Sequence, residues 1–302
     1  MTFKESLDEI VKLDGNLDEA YSVLDTEISK NPQLLREVSK FGSSYLKLNQ
    51  RDSKFINDCA ESVLYHHGDQ ENPKYHNPAH FAQVAMTTLR LSENHPIAFA
   101  KNKNLDNEAR GLLFGTALIH DLGHPGGNNG KIFEKFEQKS VKLAKEDISL
   151  EDYKFNNVER MILHTAHNEH LQEFASNYQN AVISGSKIGI LCGILRQADT
   201  FVSTAVSSNQ SLQSGKKLNN ELLEAWIDLP FVHKLDTKEM QASFISSIPQ
   251  VIISPAGRIA AQQAKENIKD LSTVKQNAKS DILVLPTVTI NHTAGINSRG
   301  VI

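Results

Sequence analysis

With 302 residues, 39% hydrophobic and 23% charged, the chain has the composition of an ordinary soluble globular protein with room for one large domain or two small ones. A formal net charge of −4 without a basic run argues against nucleic acid as a partner, so binding an anion here requires a local positive centre. Cys59 and Cys192 form neither a CxxC nor a disulfide framework, the first residues carry no signal-peptide core, and the longest apolar run, 188–195, is too short to span a membrane; a cytoplasmic protein is expected.

Residues 3–48 alternate amphipathic helical stretches with turn signals at Asp14-Gly15-Asn16 and Lys30-Asn31-Pro32. A helix over 55–65 follows, and His66 and His67 read as its solvated end. In Tyr75-His76-Asn77-Pro78-Ala79-His80, Asn77 suits an N-cap and Pro78 the first helical position, so a helix is predicted from there to about Leu91. His76 then lies just before the cap and His80 in the first turn, two rings able to face one cavity.

Residues 94–107 form a polar connection, and 108–122 read as a helix with Leu112, Leu113, Thr116, Ala117 and Ile119 at helical spacing. Gly123 suits a left-handed stop and Pro125 prevents resumption, which sets His120 and Asp121 at a rigid helix end with His124 one turn on. An imidazole and a carboxylate together there suit a divalent ion such as Zn, Mn, Fe or Mg, although the pair alone is equally consistent with a simple hydrogen bond. A helix over 131–146 follows; Glu134 and Glu137 in its first turns could reach back, but each taken singly reads as a solvated acid favoured by the helix N-terminus.

Residues 155–174 read as one helix carrying His164, His167 and His170, whose i, i+3, i+6 spacing spreads them too widely to converge on one ion. The most apolar helix, 186–207, has an inward stripe of Ile188, Leu191, Leu195, Ala198 and Val202. Asp199 falls on that stripe. A carboxylate among apolar neighbours costs several kcal/mol unless paired. Arg196 projects away around the helix, so a metal is the better partner. Helices are predicted over 216–226, 237–248 and 256–271, with Gln241 and Phe244 on one face of the second. Residues 282–290 look extended and 291–302 disordered, giving a single helical catalytic domain over 1–271 and a tail over 272–302. No other strand is predicted, so the fold class is all-α.

Together these pieces resemble the class I 3′,5′-cyclic-nucleotide phosphodiesterases of the HD superfamily of metal-dependent phosphohydrolases. Tyr75-His76-Asn77-Pro78-Ala79-His80 resembles that family's Tyr-His-Asn-x-x-His, and His120-Asp-Leu-Gly-His-Pro-Gly-Gly-Asn-Asn129 its His-Asp-x-x-His-Pro-Gly-x-x-Asn. Asp199 sits where the family has an Ala-Asp ligand, and Gln241 to Ile245 resembles its late Gln-x-x-Phe-Ile segment. Gly123, Ala166 and Val202 depart from residues common in the family, and Glu137 is the nearest stand-in for a missing Glu-Asn-His-His.

The resemblance implies a multi-helix domain with a metal site in a deep pocket. His80, His120, Asp121 and Asp199 would hold Zn, and Asp121 would bridge to a second ion, Mg or Mn. His76 would be the general acid, and His124 would orient waters at the second ion. Tyr75, Asn129, Gln241 and Phe244 would contact the substrate or hold its loop, with Glu137 behind them. The implied partner is a small-molecule cyclic nucleotide, with a homodimer as the assembly left open. An HD-type nucleotidase or dNTP phosphohydrolase, a cyclic-nucleotide-binding domain without catalysis, and a purely structural helical domain are the alternatives.

Overall fold

The computed structural model describes residues 1–68, 74–95, 105–126, 135–166, 171–225, 237–247 and 254–271. Every regular element among them is helical, as the sequence predicts. In chain order they are α1 (Phe3–Val11), α2 (Leu17–Lys30), a 3-10 turn (Pro32–Leu34), α3 (Leu35–Tyr45), α4 (Gln50–His67), α5 (Pro78–Ser92), α6 (Asn107–Ile119), α7 (Lys135–Asp147), α8 (Asp152–Leu163), α9 (Leu171–Ser184), α10 (Lys187–Thr204), α11 (Ser208–Ala225), α12 (Thr237–Ser247) and α13 (Pro255–Leu271).

Helix α5 is the axis of the domain. All 15 of its residues are buried, against α2, α6 and α10 among others. The buried Arg90 guanidinium donates to the carbonyls of Ile10, Lys12 and Leu13, which are left open at the end of α1. Helix α6 packs on both α4 and α5, and Gly115 makes the first contact possible, since a Cβ there would lie 2.3 Å from the Phe55 ring. One core cluster runs from Leu7 to Leu271 and includes residues of α5, α6 and α10.

Several boundaries differ from the sequence reading. The helix predicted over 155–174 is two helices, because α8 stops at Leu163: the Thr165 hydroxyl and amide both turn back onto the Ile162 carbonyl, and these local bonds replace helical continuation. Helix α11 starts at Ser208, eight residues before the predicted start, with Ser207 Oγ accepting from the Gln210 amide at 3.1 Å. Its early buried positions are Gln210 and Ser211, which leave no apolar periodicity to read. Helix α4 extends from Gln50 through His67. His67 is not a solvated end: it is 3% exposed. The tail over 272–302 lies outside the described residues, as do Asn129, Glu134, His167 and His170.

Candidate metal centre

Three helices bring the four predicted ligands together. Asn77 Oδ1 accepts from the amides of Ala79 (2.9 Å) and His80 (3.1 Å), which fixes the first turn of α5 and with it the His80 ring. His120 is the C-cap of α6 and is fully buried. Asp121 follows it directly, and α10 carries Asp199. One donor atom from each of His80, His120, Asp121 and Asp199 lies within 4.8 Å of all the others. His120 Nε2 is 3.0 Å from Asp121 Oδ2 and 3.6 Å from Asp199 Oδ1; His80 Nε2 is 3.3 Å from Asp199 Oδ1.

The donor set fits a divalent ion. The Nε2 atoms of His80 and His120 are buried with no hydrogen-bond partner, so they approach the carboxylates without satisfying each other. His120 Nδ1 sits 2.8 Å from the Ala117 carbonyl, a bond that places a proton on Nδ1 and leaves the Nε2 lone pair for an ion. Burial lowers the pKa of His80, which suits a neutral ligand. Burial opposes charge on Asp121 and Asp199 too, yet the neighbouring imidazoles, His120 above all, prevail and hold both well below the usual carboxylate range. Against burial, Asp121 and Asp199 raise the pKa of His120 well above its ordinary value, so a positive charge is favoured at this point. The Asp199 side chain is only 15% exposed and its stripe neighbours Leu195, Ala198 and Val202 are buried, as the sequence pattern requires.

A second group abuts the first. His76, His124 and Glu221 bring donor atoms within 4.8 Å of one another. Glu221 Oε1 is 2.5 Å from His76 Nδ1, while its Oε2 accepts from the amides of Tyr75 (2.8 Å) and His76 (3.2 Å). This clamp aims His76 Nε2 at the first group, 3.8 Å from Asp121 Oδ2. The His76 and His124 rings stack with centroids 3.8 Å apart, too close for both to be cationic. The proton goes to His76: burial opposes it, but the Glu221 hydrogen bond and the field of Asp121 outweigh burial and raise its pKa. Burial, reinforced by the His76 charge, pushes His124 down to about 3, and its Nδ1 accepts from the Gly126 amide at 3.1 Å.

Tyr75 is buried with its ring 4.6 Å from that of His80, and burial drives its phenol pKa far up. Gln241 is buried; its Nε2 donates to the Ser203 carbonyl at 2.8 Å, so the amide is anchored on α10. Phe244 is half-buried on the same helix. Glu137 is 7% exposed, and so is not the solvated acid that its position in α7 suggests. His164, at the end of α8, bonds its own helix through the Arg160 carbonyl and joins no metal-competent group among the described residues. A cavity of about 800 Å³ floored by Phe55, Leu112 and Leu191 opens elsewhere, and none of the predicted site residues lines it.

The solved structure of LmjPDEB1, a Leishmania class I phosphodiesterase, in complex with IBMX aligns with this chain at a TM-score of 0.61 and 14% identity, covering 89% of this chain and 96% of that one. The two share an all-α fold. No protein-family model matches the sequence, and no curated protein matches it. None of the helices among the described residues is long and apolar enough to cross a membrane.

The sequence reading missed Glu221, whose partner His76 is 145 residues away and whose helix begins without an apolar stripe. It also missed the groups that hold the turn after His120. His67 Nε2 accepts from the Gly123 amide at 2.8 Å, Lys139 Nζ donates to the Gly123 carbonyl at 2.6 Å, and Ser140 Oγ donates to the Leu122 carbonyl at 3.0 Å. A local signal for His67 was present in its place three positions after Leu64 and four after Val63, on the buried side of an amphipathic helix.

Proposed function

We propose that this protein is a metal-dependent phosphohydrolase that cleaves 3′,5′-cyclic nucleotides to nucleoside 5′-monophosphates. His80, His120, Asp121 and Asp199 would hold a divalent ion, Zn, and Asp121 would also serve a second, Mg or Mn. Such ions, when bound, supply a positive centre for the phosphate and make water acidic enough to attack it near neutral pH. The observation that carries the reading is the pair of orphaned Nε2 atoms, from His80 and His120, facing two carboxylates at one point, with a third, proton-carrying imidazole beside them.

The protein's own groups then divide the work. Phosphodiester cleavage at P–O3′ leaves an alkoxide that needs a proton. His76 carries one on the ring edge facing the ligand group, and Glu221 on its other nitrogen keeps it charged and aimed. His124, neutral and stacked on His76, accepts from the Gly126 amide at Nδ1 and so presents its Nε2–H to water without competing for that proton. Tyr75 walls the His80 side, and Gln241 and Phe244 on α12 are assigned to the base, Gln241 with its amide held by Ser203. Asn129 is assigned to the loop after His124 on the motif alone.

A substrate panel tests this reading. Protein loaded with Mn or Mg and given cAMP, cGMP, a dNTP and a cyclic dinucleotide in parallel is expected to consume the two 3′,5′-cyclic mononucleotides. Turnover of the dNTP alone would transfer the site to the nucleotidase reading.

A further inference from the structure

Asp121 and His124 sit at the two ends of one tight turn, closed by the His124 amide on the Asp121 carbonyl at 2.9 Å. Gly123 occupies its third position with φ +70°, and a side chain there would strike Leu143. The outward backbone groups of such a turn are normally left to water. Here the Gly123 amide meets the buried His67 ring, which comes from the last turn of α4 and rests edge-on against Phe81 with centroids 5.1 Å apart.

An imidazole that accepts at Nε2 carries its proton at Nδ1, and the Nδ1 of His67 is buried with no hydrogen-bond partner. A helix end packed on an aromatic ring would be more stable with an apolar side chain, which has no donor to strand. His67 keeps that penalty and gains one thing: an acceptor for the Gly123 amide. We infer that His67 is a positioning residue that sets the Asp121–His124 turn, and so the geometry of the metal ligand Asp121, from outside the ligand set. This rests on the proposed metal centre. It adds a residue that touches neither the ion nor the substrate.

The test compares His67→Leu, which fills the space without an acceptor, with His67→Gln, whose side-chain oxygen can reach the Nε2 position. Mn and Zn affinities of each purified full-length variant are measured by competition with a chelating indicator, together with urea midpoints of the metal-free forms. His67→Leu is expected to weaken metal binding about 10–100-fold, the usual effect of losing an outer partner of a ligand. His67→Gln should stay within a few-fold of wild type, and the urea midpoint of His67→Leu should not fall below that of His67→Gln. Equal affinities for wild type and His67→Leu, or equal losses for both variants, would overturn the inference. A wild type that binds no divalent ion would overturn it together with the metal centre. A wild type that binds ions but leaves cyclic nucleotides intact would overturn only the substrate assignment, and the two affinities would still decide the role of His67.

Discussion

Glu221 Oε1 lies 2.5 Å from His76 Nδ1, and the other oxygen of the same carboxylate holds the backbone amides of Tyr75 and His76. One acid from α11 therefore fixes both the ring and the main chain of the residue assigned as proton donor, 145 positions earlier in the sequence.

Glu221→Gln should lower kcat on a cyclic nucleotide at least tenfold, a part of the roughly 10²–10⁴ that a general acid contributes. The Glu221 carboxylate helps raise the His76 pKa, so its loss lowers that pKa and moves the high-pH fall in kcat to lower pH. A nitrophenyl phosphodiester, whose leaving group needs no proton, should be hurt far less. Equal losses on both substrates, or an unmoved alkaline limb, would remove Glu221 and His76 from proton transfer.

Asp199→Ala should abolish tight metal binding, since it removes one of two carboxylates facing the His80 and His120 nitrogens. Elemental analysis of the purified variant is the check. Metal content equal to wild type would show that the ion, if any, is held elsewhere.

Phe244→Ala should raise KM for cAMP and cGMP by a similar factor, because stacking is blind to base identity and is worth about 1–3 kcal/mol. Steady-state kinetics on both nucleotides read this directly. An unchanged KM would take Phe244 out of the base site.

Acid should destabilise the fold in part through His67. Burial, and then the charge of His66, pushes its pKa down to about 4 from an unfolded value near 6.5. Between those values the unfolded chain takes up a proton that the folded chain refuses. The stability due to the neutral ring is thus fully present above about pH 6.5 and falls as the pH drops to about 4, by up to about 3 kcal/mol. Urea midpoints of the metal-free protein should show this slope reduced by about one proton in His67→Gln. An identical slope in both proteins would mean that His67 titrates normally.

The parts of the site that were legible in the sequence are those with a local cause. Asn77-Pro78 announces a helix start and places His80; Gly123-His124-Pro125 announces a helix stop and places His120 and Asp121; Asp199 interrupts an apolar stripe. The all-α class follows from the same periodicities. Glu221 was illegible because its only meaning is its distance to His76, and α11 buries polar residues where a pattern would need apolar ones. The break between α8 and α9 was missed for a related reason: a threonine returning to the Ile162 carbonyl ends α8 without glycine or proline.

The proposed role of an ion at His80, His120, Asp121 and Asp199 is to drive cleavage of the P–O3′ bond. Metal-loaded protein incubated with cAMP in ¹⁸O-water, with the product read by ³¹P NMR, tests it most directly. The expected product is the 5′-monophosphate bearing one solvent oxygen, lost when a chelator strips the ion and absent in Asp121→Ala. A 3′-monophosphate, turnover that survives metal removal, or full activity in Asp121→Ala would contradict it.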